Sequence, residues 1–121
     1  MTSSSTSEST ATLALSPQDL AQRLGQALQF QTISYEDPAQ FDQEAFTGLH
    51  RYLEATFPRV HAALTRETVG RYSLLYTWRG QDPALPPVVL LGHLDVVPIE
   101  AGTEGGWAHP PFGGLVDGGF V

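Results

Sequence analysis

The run Val88-Val89-Leu90-Leu91-Gly92-His93-Leu94-Asp95-Val96-Val97-Pro98 constrains this chain more than any other segment. Its first four residues do not alternate between apolar and polar. A strand that is apolar on both sides is one covered on both faces, the situation of a central, parallel strand in an α/β sheet. Val88 to Leu91 is therefore predicted to be a central buried strand. In open α/β sheets the ligand crevice lies beyond the carboxyl ends of the strands, and His93 and Asp95 fall where this strand runs out.

The segments before it supply the expected neighbours. Ser16 can cap a helix whose first turn takes Pro17, and Leu20, Leu24, Ala27 and Leu28 recur on one face of it, to an end near Phe30. Gln31 to Pro38 reads as a loop. A second helix places Phe41, Ala45, Leu49, Leu53 and Phe57 at spacings of four, with Phe46 and Tyr52 widening the stripe and Pro58 ending it. His50 and Arg51 fall toward its polar side. Val60, Ala62 and Leu64 then alternate with their neighbours, which predicts a half-exposed strand, and Gly70-Arg71 is a turn. Tyr72, Leu74, Tyr76 and Trp78 alternate with Ser73, Leu75 and Thr77, the strongest strand signal in the chain and the second arm of a hairpin. Arg79 to Pro87 is rich in turn formers. Beyond Pro98 the chain is mostly loop, with short strands expected around Asp117-Gly118-Gly119.

Composition narrows the partners. Asp and Glu outnumber Arg 13 to 6, Lys is absent and the net charge is -7, an acidic balance that excludes nucleic acid and anionic membranes as expected partners. With no cysteine, any metal must be held by His, Asp or Glu. No apolar run approaches the roughly 20 residues of a membrane span. Residues 1–15 begin with a Ser/Thr-rich stretch without Lys or Arg and lack a signal-peptide core, so a disordered tail and a cytoplasmic protein are expected. Residues 16–121 are expected to form one domain. The chain stops at Val121 inside a predicted strand, which reads as the beginning of a larger domain.

Two roles fit His93 and Asp95. Neutral imidazole is a common zinc ligand, and a ligating His usually gives its other N–H to an oxygen acceptor that fixes its tautomer. A carboxylate two residues on can do so. Alternatively, His93 is a hydrogen-bonded residue at a strand end and Asp95 caps turn N–H groups. His50 and His61 are expected at the solvated surface, and His109 within a turn shaped by Pro110-Pro111. Trp107 and Phe112 are expected to anchor loops on the sheet.

The motif order "LLGHLDVVP", then Trp107, "HPPFGG" and "VDGGFV", resembles the carboxypeptidase S and aminoacylase family of dinuclear zinc peptidases and amidohydrolases. "QFQTISYEDP" and "FPRVHAALTRETVGRYSLLYTWRGQDP" are similar to its carboxypeptidase S-like branch, which handles N-acyl amino acids and small peptides. The resemblance covers about residues 17 to 121. It implies an α/β zinc domain interrupted by a smaller α+β domain, two zinc ions, and amide hydrolysis by a metal-activated water with a glutamate shuttling the proton. It implies that His93 is the first zinc ligand and that Asp95, not itself a ligand, orients it and is required for catalysis.

The same resemblance implies an aspartate bridging both metals soon after "DGGFV", a Glu-Glu pair, a further acidic ligand and a distant histidine, none of which lies within residues 1–121. Asp117 precedes the bridging position. The expected function is therefore the N-terminal portion of a zinc-dependent carboxypeptidase or N-acyl-amino-acid amidohydrolase, inactive alone. The alternative is a non-catalytic binding fragment.

Overall fold

A computed structural model describes residues 16–121, and the expected tail, residues 1–15, lies outside the described residues. Helix α1 spans Pro17–Leu28, with the Ser16 side chain accepting from the Asp19 N–H at 3.0 Å and Pro17 in the first turn. The sequence reading places this start correctly because capping is decided within four residues. The apolar stripe behaves otherwise: Leu20 and Leu24 are about half exposed, and Gly25 is the buried position of the helix.

Helix α2 spans Gln43–Thr56, capped by Asp42 accepting from the Glu44 and Ala45 N–H groups. Phe41 sits before the cap, in a cluster with Phe46 and Tyr72 whose ring centroids lie 4.8 to 5.5 Å apart. Phe46 and Leu49 are 7% exposed, a burial that stabilises by roughly 1.5–3 kcal/mol for each side chain. Tyr52 ties α2 to α1 by donating its hydroxyl to the Arg23 carbonyl at 2.8 Å.

His50 departs from expectation. It is buried, at 8% exposure, and its Nε2 has no hydrogen-bond partner among the described residues. The helical pattern placed it near the polar face, but Tyr72 lies on that side of α2, with its backbone hydrogen-bonded to His50 and its ring against Phe46.

The strand expected at Val60 to Leu64 is instead helix α3, Pro58–Ala63. Alternation over five residues does not separate a strand from a short helix. Pro58 at the first helical position and the helix-favouring Ala62 and Ala63 decide it. The hairpin's first arm lies later: β1, Thr65–Val69, pairs antiparallel with β2, Ser73–Thr77, in a register from Thr65↔Thr77 to Val69↔Ser73. Gly70 makes the turn with φ 65°, a region favouring glycine. Leu74 and Tyr76 face inward and Ser73, Leu75 and Thr77 outward, as the alternation predicts.

The central strand is the main correction. Val88, Val89, Leu90 and Leu91 are 71 to 94% exposed and belong to no strand. A strand apolar on both faces needs a pairing partner and a layer on each side, and no described segment supplies them. Parallel pairing does occur a few residues later, as an isolated bridge between Ile33 and Val96. The described residues thus mix helices with a two-stranded antiparallel sheet. Among them no helix is long and apolar enough to cross a membrane.

Candidate functional site

Residues 93 to 96 are held by Thr32, Ile33 and Ser34, within the segment Gln31 to Pro38. The Ser34 N–H donates to the Val96 carbonyl at 2.9 Å, and the Val96 N–H to the Thr32 carbonyl at 2.9 Å. The Thr32 hydroxyl adds a bond to the Leu94 carbonyl at 2.6 Å. Thr32 and Ile33 are buried beneath this ladder. The sequence signal that was missed is the short β-prone triplet Thr32-Ile33-Ser34, too brief for periodicity to register.

On this support, His93 Nδ1 faces the Asp95 backbone carbonyl at 2.8 Å and Asp95 Oδ1 at 3.2 Å. Both oxygens accept, so Nδ1 carries the proton. In the neutral ring, Nε2 then keeps its lone pair, and it makes no hydrogen bond among the described residues. The His93 side chain is 84% exposed. Ser34 Oγ donates to the other carboxylate oxygen, Asp95 Oδ2, at 2.7 Å. The Ser34 hydroxyl, followed by the backbone N–H of Asp95 itself, holds this carboxyl below the usual carboxylate range; partial burial opposes them and the His93 imidazole adds to them.

An open cleft of about 640 Å³ lies alongside His93 and Asp95, with walls that include Phe30, Leu49, Leu53, Ile99, Trp107 and Phe112. Trp107 and Phe112 thus line the cleft. A largely apolar concavity with a few convergent polar groups is the usual form of a small-molecule site. His109 is not brought to it; its Nε2 pairs with Asp117 Oδ2 at 3.0 Å in the C-terminal loops. His61 bridges helix and sheet. No three His, Asp or Glu side chains converge among the described residues.

His93 fits a metal as a single donor. Its free nitrogen is exposed and its other nitrogen is engaged, while both oxygens of Asp95 are taken up by Ser34 and His93. Asp95 thus joins the Ser34 hydroxyl to the His93 ring through its two carboxylate oxygens.

Comparison with known proteins places the sequence of this chain in a family. The chain is 43% identical over 109 residues to the probable carboxypeptidase S-like 2 of Dictyostelium discoideum, a match covering 88% of this chain and 21% of that protein. It is 49% identical over 72 residues to carboxypeptidase S of Saccharomyces cerevisiae, covering 60% of this chain and 12% of that protein. Against the N-fatty-acyl-amino acid synthase/hydrolase PM20D1 of Bos taurus, identity is 40% over 97 residues, covering 78% of this chain and 18% of the relative. No family profile matches the chain. No solved structure matches it. Its relatives by sequence are hydrolases, and the chain belongs to the carboxypeptidase S/aminoacylase-type family. It spans about a fifth or less of the length of these curated relatives.

Proposed function

We propose that this chain carries the first-ligand segment of a zinc-dependent carboxypeptidase or N-acyl-amino-acid hydrolase, with His93 donating Nε2 to one of two zinc ions and Asp95 fixing the orientation of that ring. The observation that carries it is the pairing of His93 Nδ1 with Asp95 Oδ1 at 3.2 Å, which leaves an exposed nitrogen beside an apolar cleft. When bound, zinc lowers the pKa of a water and polarises the carbonyl of an amide. The chain's own residues do the rest of what this segment can do. Asp95 holds the ring, His93 offers one lone pair, and the apolar wall of Phe30, Leu53 and Trp107 takes the hydrocarbon part of a peptide or N-acyl amino acid and excludes water from it.

One donor does not make a dinuclear site, which needs several. The remaining ligands and the proton-shuttling glutamate come from outside residues 1–121, and this chain alone is inactive. A second reading, a non-catalytic binding module, is favoured by the exposed apolar run Val88 to Leu91.

Zinc binding and hydrolysis of an N-acyl amino acid by chain 1–121, beside a longer protein that contains it, test the proposal. Expected are no turnover by the short chain, turnover by the long one, and loss of zinc stoichiometry in the long protein on His93→Ala. Full zinc loading after that substitution removes His93 from the site. Turnover by the short chain overturns its inactivity, and a longer protein that neither binds zinc nor hydrolyses the substrate supports the binding module.

A further inference from the structure

Four hydrogen bonds join residues 32–34 to residues 94–96, and three of them end on backbone oxygens of the facing segment. The fourth, from the Ser34 hydroxyl to Asp95 Oδ2, reaches the carboxylate that faces His93. Torsion about the carboxylate bond of an aspartate is soft and broad, and the Asp95 side chain is 44% exposed, so water competes for both oxygens. A donor fixed on Oδ2 removes that freedom and leaves Oδ1 turned toward His93. The donor is itself fixed, because the Ser34 N–H is bonded to the Val96 carbonyl at 2.9 Å.

We propose that Ser34 is a positioning residue of the His93–Asp95 pair: it sets the Asp95 carboxylate, and through it the His93 tautomer with Nδ1 protonated and the Nε2 lone pair outward. The consequence for metal binding rests on the proposed function, but the tautomer does not. A competing influence is built into the same geometry, since the Asp95 backbone carbonyl also accepts from Nδ1 at 2.8 Å. If that carbonyl alone sets the ring, Ser34 is dispensable.

The test is nitrogen NMR of the metal-free, ¹⁵N-histidine-labelled chain at a pH where its imidazoles are neutral. Wild type is expected to show His93 mainly as the Nδ1–H form. Ser34→Ala is expected to lower the ratio of Nδ1–H to Nε2–H at His93 roughly three- to tenfold, the scale of one net hydrogen bond. Ser34→Thr keeps the hydroxyl and is expected to keep the wild-type ratio. Ser34 is exposed, so neither substitution removes core packing, and unchanged amide signals of Thr32, Leu94 and Val96 confirm that the ladder persists. A wild-type ratio in Ser34→Ala, or a ratio in Ser34→Thr that falls as far as in Ser34→Ala, overturns the proposal. Zinc titration of the same samples, followed at His93 Nε2, tests the ligand role separately, and its failure leaves the tautomer result standing.

Discussion

Gly25 in α1 and Gly114 in the C-terminal loops meet backbone to backbone, so closely that a Cβ built on Gly114 lies 1.9 Å from the Gly25 carbonyl oxygen and one built on Gly25 lies 2.3 Å from the Gly114 carbonyl oxygen. Gly114 also has φ 61°, where an L side chain is strained. This contact docks the C-terminal loops on α1. In an exposed helix interior, Gly→Ala stabilises by about 1 kcal/mol; here the sign reverses. Gly25→Ala and Gly114→Ala are each expected to lower the urea midpoint, with Gly114→Ala losing about 1–3 kcal/mol of unfolding free energy to backbone strain before the clash is added. A higher midpoint for Gly25→Ala shows that the two backbones do not touch.

Burial sets the behaviour of His50. Loss of hydration holds its pKa below the ordinary imidazole value, the Tyr72 backbone pulls it back up, and Arg66 adds to the lowering. The unfolded chain therefore takes up the proton first as pH falls. Stability is full above the unfolded pKa, near 6.5, declines as pH drops through it, and levels off below the folded value. Urea unfolding at a series of pH values between about 8 and 5, wild type against His50→Leu, isolates this residue from the other histidines. The acid-side decline is expected to shrink in the variant; equal declines mean that His50 is not protected.

His61 links α3 to the sheet. Its Nδ1 donates to the Phe57 carbonyl at 3.0 Å, so Nε2 accepts from the Tyr76 hydroxyl at 2.9 Å, with the two rings edge to face. A double-mutant cycle of His61→Phe and Tyr76→Phe is expected to give a coupling of about 1 kcal/mol in unfolding free energy. Strict additivity removes the hydrogen bond from the account of how α3 is held.

Asp95→Ala, in a longer protein that binds zinc, is expected to lower metal affinity or activity roughly 10- to 100-fold, the usual effect of losing a carboxylate that orients a ligating imidazole. Competition with a chromophoric chelator reads the affinity directly. No change in affinity or turnover returns Asp95 to a turn-capping role.

The start of α1, the end of α2 and the second arm of the hairpin were legible in the sequence, whereas α3 was not. Ser16 and Pro17 open α1, Pro58 ends α2, and the alternation from Ser73 to Thr77 announces β2. The pairing of His93 with Asp95 was legible too, because two residues of extended chain put both side chains within reach. Each of these is set by atoms a few positions apart, and capping, proline geometry and periodicity act over that range.

What only the tertiary structure decided depends on which distant segment lies where. Ser34 reaches Asp95 across 61 positions, Tyr72 comes to lie against His50 and Phe46 of α2, and Gly25 is buried because a loop from the other end of the chain rests on it. Val88 to Leu91 shows the same rule in reverse. Their apolar pattern states what such a strand needs on both faces, while their exposure reflects that no described segment of this chain provides it. Hydrophobic pattern records a demand for cover; only contacts between remote parts of the chain meet it.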